Sequence, residues 1–175
     1  MIICGYAGIG KSYLAEHIPN VMDLESTPFE KDWERYAKCA IHYSNQGRLV
    51  LVSCHRELRE ILKNKVSYYE RITIVPDVND KEWYKEKYKL RGNSQTFINL
   101  QMDNWEKWLD EKENRLIGEH WEVLKSHENL YDAIKRLSNL PPTWFCTYDG
   151  CPVYPNCEEY ESRGCVNPLK HYILT

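Results

Sequence analysis

The residues that could do chemistry begin almost at the first position. Residues 5–12 read Gly5-Tyr6-Ala7-Gly8-Ile9-Gly10-Lys11-Ser12, which fits the spacing G-x-x-x-x-G-K-[ST]. Glycines let a backbone wrap closely around an anion and turn its N–H groups inward. The loop runs into a predicted helix start, where unpaired N–H groups and the helix dipole favour phosphate. Lys11 is placed to reach the β- and γ-phosphates of a nucleoside triphosphate, and the Ser12 hydroxyl to ligate Mg²⁺. Gly5, Gly8, Ile9, Gly10, Lys11, Ser12 and Tyr13 are therefore the candidate nucleotide-binding residues. The plainer alternative is a glycine-rich turn joining a strand to a helix.

Further candidates lie downstream. Asp23 and Glu25 stand at the end of the second predicted strand. In an open parallel sheet ligands bind beyond the carboxyl ends of the strands, so these acids face the same side as the glycine loop. Glu25 or Ser26 could instead cap the helix that follows. Arg35 and Arg56 carry guanidinium forks, which suit phosphate geometrically, although Arg56 reads equally as a solvated arginine at a helix start. Arg91 sits beside Gly92 at a break between two helical stretches. The lysines before it read mainly as a solvated helix face, and Trp105 and Trp108 as packing residues. Near the C-terminus Cys146, Cys151, Cys157 and Cys165 are separated by four, five and seven residues, with His171 beyond. Four thiolates so close could hold Zn²⁺ or an iron–sulfur centre. The spacings lack a C-x2-C knuckle, so reduced thiols packed in a small tail remain the alternative.

The elements that must position these groups alternate along the chain. Strands are expected at about 1–4, 20–23, 48–53, 71–75 and 120–124. Helices are expected at about 13–18, 29–45, 56–63, 80–90, 94–113 and 129–138. Continuous β-branched runs between helices predict an α/β fold around a five-stranded parallel sheet. Residues 1–140 form the expected main domain, and 141–175 an irregular, cysteine-rich appendage.

Bulk composition narrows the classes. The chain has 175 residues, 42% of them hydrophobic, and a net charge of −3. That charge supplies no global field for nucleic acid. No apolar run approaches the roughly eighteen residues of a membrane span. With the loop starting at residue 5, no leader is expected before it, and a cytoplasmic protein is expected. The seven cysteines should then be mostly reduced or metal-bound.

Over residues 1–138 this arrangement resembles the nucleoside monophosphate kinase branch of P-loop proteins. It is also similar to small kinase-like proteins of bacteriophages, through the loop, Asp23-Leu24-Glu25-Ser26, and the stretch from Tyr88-Lys89-Leu90-Arg91-Gly92 to Trp105 and Trp108. The resemblance implies a three-layer fold with a helical lid near 80–95, binding ATP and Mg²⁺. Asp23-x-Glu25 looks like the Asp-x-Asp segment of shikimate-kinase-like enzymes. By that likeness Asp23 is the magnesium-side acid and Glu25 the acceptor-side acid. Arg35 and Arg56 would hold the acceptor, Arg91 would close over the phosphates, and residues 125–129 would lie near the adenine. Many P-loop NTPases end the third strand in an Asp, whereas here Ser53-Cys54-His55-Arg56 follows it. No Asn-Lys-x-Asp motif is present, which disfavours a signalling GTPase. The expected function is ATP-dependent phosphorylation of a nucleoside or deoxynucleoside monophosphate. Two alternatives remain open: a kinase acting on a hydroxyl of a metabolite, a modified base or a nucleic-acid end, or a non-catalytic ATP-binding regulator.

Overall fold

The computed structural model describes residues 1–138. The expected boundary near 140, the appendage, and Cys146, Cys151, Cys157, Cys165 and His171 lie outside the described residues.

Five strands form one sheet: β1 (Ile2–Gly5), β2 (Val21–Asp23), β3 (Leu49–Ser53), β4 (Arg71–Val75) and β5 (Trp121–Val123). Their order is β2-β3-β1-β4-β5, and every neighbouring pair is parallel. The described residues also form eight α-helices: α1 (Lys11–His17), α2 (Trp33–Asn45), α3 (Arg56–Lys65), α4 (Lys81–Leu90), α5 (Gln95–Asp103), α6 (Trp105–Leu109), α7 (Glu111–Asn114) and α8 (Leu130–Ser138). The expected α/β class and parallel sheet are thus present.

The central strands β1 and β3 form where the sequence is apolar at nearly every position, because both faces are covered. Successive side chains point to opposite faces. Ile2, Cys4, Val50 and Val52 pack with Tyr36, Ala37, Ala40, Leu58 and Leu62 of α2 and α3. Ile3, Leu49, Leu51, Ile72 and Ile74 pack instead with Leu14, with aromatic residues of α4 and α6, and with α8. Helix α8 supplies Leu130, Ala133, Ile134 and Leu137, an apolar stripe at helical spacing.

β1 is central, and its carboxyl end is where the chain can diverge toward either half of the sheet. Gly5 pairs with Ser53 on one side and with Ile74 on the other. Asp23 pairs with Leu51. This register gathers the ends of β1, β2 and β3 within reach of one another.

The expected 94–113 helix is three helices. Asn104 (φ −108°, ψ 6°) ends α5, and Asp110 (ψ 106°) ends α6. Asn104 Nδ2 donates to the Leu100 carbonyl, and Asp110 Oδ1 accepts the Lys112 N–H. Short polar side chains that bond their own backbone compete with helix propagation. Helix α2 starts at Trp33, four residues later than expected, because Glu30 and Lys31 take positive φ values of 50° and 68°. Asp32 then caps α2 by accepting the Arg35 N–H.

Candidate functional site

Beyond the carboxyl ends of β1–β4 lies a cleft of 1170 Å³. Gly5, Gly8, Gly10, Lys11, Ser12, Tyr13, Asp23, Glu25, Arg56 and Arg91 all line it. Ile9 instead anchors the glycine loop: its side chain is buried in the core, and its carbonyl accepts the Leu130 N–H at 2.8 Å.

The loop's shape depends on its glycines. Gly8 and Gly10 have φ values of 79° and 108°, which side chains with a Cβ resist. A Cβ on Gly8 would also lie 2.7 Å from Tyr88 Cε1. Tyr88 belongs to α4 and donates its hydroxyl to the Ala7 carbonyl at 2.9 Å. The helix expected to act as a lid is therefore tied to the loop through Tyr88, with Tyr84 buried beside it.

Lys11 folds back over its own loop, donating from Nζ to the Gly5 and Tyr6 carbonyls, both at 3.0 Å. Burial holds its pKa below the ordinary lysine value, while Cys54, Asp23 and Glu25 oppose that shift. The Ser12 hydroxyl donates to Asp23 Oδ2 at 2.7 Å. Asp23 Oδ1 is buried with no hydrogen-bond partner. An orphaned buried acceptor costs about 1–3 kcal/mol. It is a natural place for a cation or its bound water.

The β2 end is held by one phenol. The Tyr36 hydroxyl donates to the Leu24 carbonyl and accepts the Ser53 N–H at 3.0 Å. This joins the segment carrying Asp23 and Glu25 to the end of β3. Nothing in a single tyrosine on an amphipathic helix marks that role in the sequence. Next to it, His55 Nδ1 meets Ser53 Oγ at 2.9 Å, and its ring lies 4.7 Å from that of Trp33. Burial lowers the His55 pKa, so the ring stays neutral near pH 7. Burial raises the Cys54 thiol pKa, which leaves it protonated rather than nucleophilic.

The candidate arginines separate. Arg91 caps the carboxyl end of α4 and reaches the cleft. Arg56 lines the cleft at the start of α3, paired with Glu60 at 3.0 Å and donating to the Glu113 carbonyl at 3.0 Å. Arg35 does not line it. On α2 the positions facing the core are Tyr36, Ala37 and Ala40, so Arg35 turns outward, its guanidinium 5.8 Å from the Phe29 ring. Arg59, one of the basic residues after β3, is committed elsewhere. It forms a buried pair with Glu119 at 2.6 Å and donates to the Cys54 and Asn114 carbonyls.

Helix α4 adds a cation that the sequence concealed among its lysines. Lys81, Lys85 and Lys89 pair with Glu106, Glu82 and Glu86, as a solvated face should. Lys87 instead lies over the Trp83 and Tyr84 rings, 4.4 and 5.1 Å from their centroids, and lines the cleft. The signal was its spacing from those aromatics, three and four positions, which puts them on one helical face. In the 125–129 loop, Asp80 accepts from Ser126 Oγ and His127 N, and Asn129 reaches the cleft.

Trp105 is a packing residue in the core, whereas Trp108 is half-buried and lines the cleft. Among the described residues no three or more His, Cys, Asp or Glu side chains gather as a metal site. Ser12 and Asp23 could still hold Mg²⁺, because that ion keeps several waters and is shared with substrate phosphates. No helix among the described residues is long and apolar enough to cross a membrane. Compared with known proteins, the chain matches no family model, no curated sequence and no solved structure.

Proposed function

We propose that the chain is a small ATP-dependent phosphotransferase with a three-layer phosphate-loop fold, acting on a nucleoside or deoxynucleoside monophosphate. The observation that carries this reading is the Ser12–Asp23 contact beside Lys11, in a cleft lined by every residue of the glycine loop except Ile9. The motif's serine hydroxyl and the acid that the family likeness puts on the metal side are the two partners of this contact, which supports the reading.

In this reading the glycine loop cradles the triphosphate, and Lys11 leaves its own carbonyls to meet the β- and γ-phosphates. Ser12 and Asp23 hold Mg²⁺, which supplies charge neutralisation across the phosphates when bound. Lys87 and Arg91 add positive charge from α4 where negative charge spreads during transfer. Arg56 lies on the acceptor side, beyond β3. The bond between the γ-phosphorus and the β,γ-bridging oxygen breaks, a bond to an acceptor phosphate oxygen forms, and ADP leaves. A phosphate acceptor is already ionised and needs no general base, so the protein's contribution is positioning and charge.

Glu25 favours a second reading. It is exposed, lines the cleft two residues from Asp23, and could take a proton from a hydroxyl acceptor. A screen of labelled ATP against all monophosphates, hydroxylated metabolites and DNA ends separates the two. Acceptor-dependent ADP release, abolished in Lys11→Ala with the fold intact, supports a kinase. ATP binding without turnover on any acceptor refutes it and leaves a nucleotide-binding regulator.

A further inference from the structure

The far wall of the cleft takes no part in the loop chemistry. Gln101 on α5 lines the cleft, is only 8% exposed, and its Oε1 is buried without a hydrogen-bond partner. Asn93, in the turn before α5, lines the same cleft and leaves its Oδ1 in the same condition. Two aromatic residues accompany them, Phe97 one helical turn before Gln101 and Trp108 on α6, both half-buried and both lining the cleft. Phe97 meets Tyr88 edge to face at 5.3 Å, and Tyr88 is bonded to Ala7 of the glycine loop. The wall and the loop are thus held in one frame.

A carboxamide offers a donor and an acceptor side by side, and it pairs with an edge that offers both. Nucleobases have such edges, and their faces stack on aromatic rings. The cleft also has room for a second ligand, since 1170 Å³ exceeds the roughly 300–1,000 Å³ of ordinary single-ligand sites. The wall adjoins the acceptor side. Arg56 donates to the Glu113 carbonyl, and Asn114 Nδ2 donates to the Lys107 carbonyl one residue before Trp108. The 125–129 loop is fastened to Asp80.

We propose that Gln101, with Asn93, reads the base of the acceptor nucleotide while Trp108 and Phe97 provide its stacking surface. This rests on the phosphotransferase reading of the same cleft, and it gives the acceptor a base rather than only a phosphate.

The test uses the full chain without ATP. The four common nucleoside monophosphates and their nucleosides are titrated while tryptophan fluorescence and calorimetric heat are followed. Binding should quench the indole, and Trp108→Phe should remove the quench while keeping affinity within about threefold, since a phenyl face still stacks. Gln101→Leu should weaken monophosphate binding about tenfold or more and leave ATP affinity unchanged. In turnover that loss should fall on the acceptor KM rather than on kcat. Gln101→Glu keeps the shape but removes a donor, so it should reorder the preference among bases, which a merely structural role would not do. Unchanged affinities and unchanged base order in both Gln101 variants overturn the proposal. Gln101-dependent monophosphate binding without any phosphoryl transfer would refute the phosphotransferase and leave the base subsite standing. Transfer with a Gln101-independent KM would do the reverse.

Discussion

Ser12 and Asp23 meet side chain to side chain, with Ser12 Oγ 2.7 Å from Asp23 Oδ2. The two residues come from the start of α1 and the end of β2, and the other oxygen of Asp23 is buried and unpartnered. Asp23→Asn keeps an oxygen to accept the serine hydroxyl and removes the charge. Phosphoryl transfer should fall at least about a hundredfold, and the Mg²⁺ concentration needed for activity should rise. Stability should change by no more than about 0.5 kcal/mol, because a carboxamide fills the same space. Initial rates over a magnesium titration, with a thermal melt of the same protein, check both halves. Full activity at low magnesium would remove Asp23 from the metal side.

Gly8 carries two constraints that a double substitution can separate. Its φ is 79°, and a Cβ there would stand 2.7 Å from Tyr88 Cε1. Gly8→Ala should cost about 2–4 kcal/mol, the left-handed backbone and the overlap adding together. Gly118→Ala shares only the positive φ, with open space around it, and should cost about 1 kcal/mol. In a Tyr88→Ala background the Gly8→Ala penalty should shrink by at least about 1 kcal/mol. Denaturant melts of the four proteins measure the coupling, and strict additivity would show that the ring does not press on the loop.

How much of this was legible in the sequence depends on what carried the information. β1 and β3 were readable because each is a nearly continuous apolar run, which a sheet covered on both faces explains, and β4 through its β-branched Ile72, Thr73, Ile74 and Val75. The turn between β1 and α1 was readable because its backbone takes positive φ at Gly8 and Gly10, which leaves a glycine pattern in the sequence. Asp23 and Arg56 could be placed at the cleft because they follow strand ends. Arg35 could not, because rotating a helix by one residue turns a side chain by about 100°, and only the packing of Tyr36 and Ala37 sets that rotation. The 94–113 stretch misled because its residues favour helix individually, while two side-chain bonds to the backbone, from Asn104 and Asp110, decided otherwise. Those breaks are what put Trp105 in the core and Trp108 at the cleft. The partnerships of Tyr36 and Arg59 are long-range and no spacing rule encodes them, whereas that of Lys87 lay in its helical spacing from Trp83 and Tyr84.

Arg59 lines the cleft without being free to act there. Its guanidinium is buried with Glu119, which also accepts from Thr73 Oγ1 at 2.6 Å and from the Leu116 N–H at 2.9 Å. Glu119→Gln should destabilise the protein by about 3–5 kcal/mol, because it leaves a buried charge uncompensated. The fraction that remains folded should keep its affinity for ATP. An acceptor-specific KM effect with normal stability would instead make Arg59 a substrate ligand.

His120 gives stability a pH dependence. Burial, with Arg115 acting in the same direction, lowers its pKa from 6.5 to about 4, and its ring stacks on Tyr68 at 5.5 Å. Between those two values the unfolded chain binds a proton that the folded protein refuses. Stability should therefore fall as pH drops from about 6.5 to about 4, by up to roughly 3 kcal/mol from this residue. His120→Phe should flatten that part of the profile, which urea midpoints at half-unit pH steps would reveal. An unchanged slope in the variant would assign the acid sensitivity to other groups.

The Tyr88 hydroxyl on the Ala7 carbonyl has a thermodynamic consequence for ligand capture. Because α4 and the glycine loop are already joined, the cations of α4 need not be gathered by the nucleotide that the proposed function puts in the cleft. The entropy of ordering that half of the cleft is lost when the chain folds, so association can proceed with little further reorganisation there. Cutting the tie with Tyr88→Phe would shift part of that ordering to the moment of binding. Association would slow, and its enthalpy and entropy would both become more negative, while the residues touching the phosphates stayed the same.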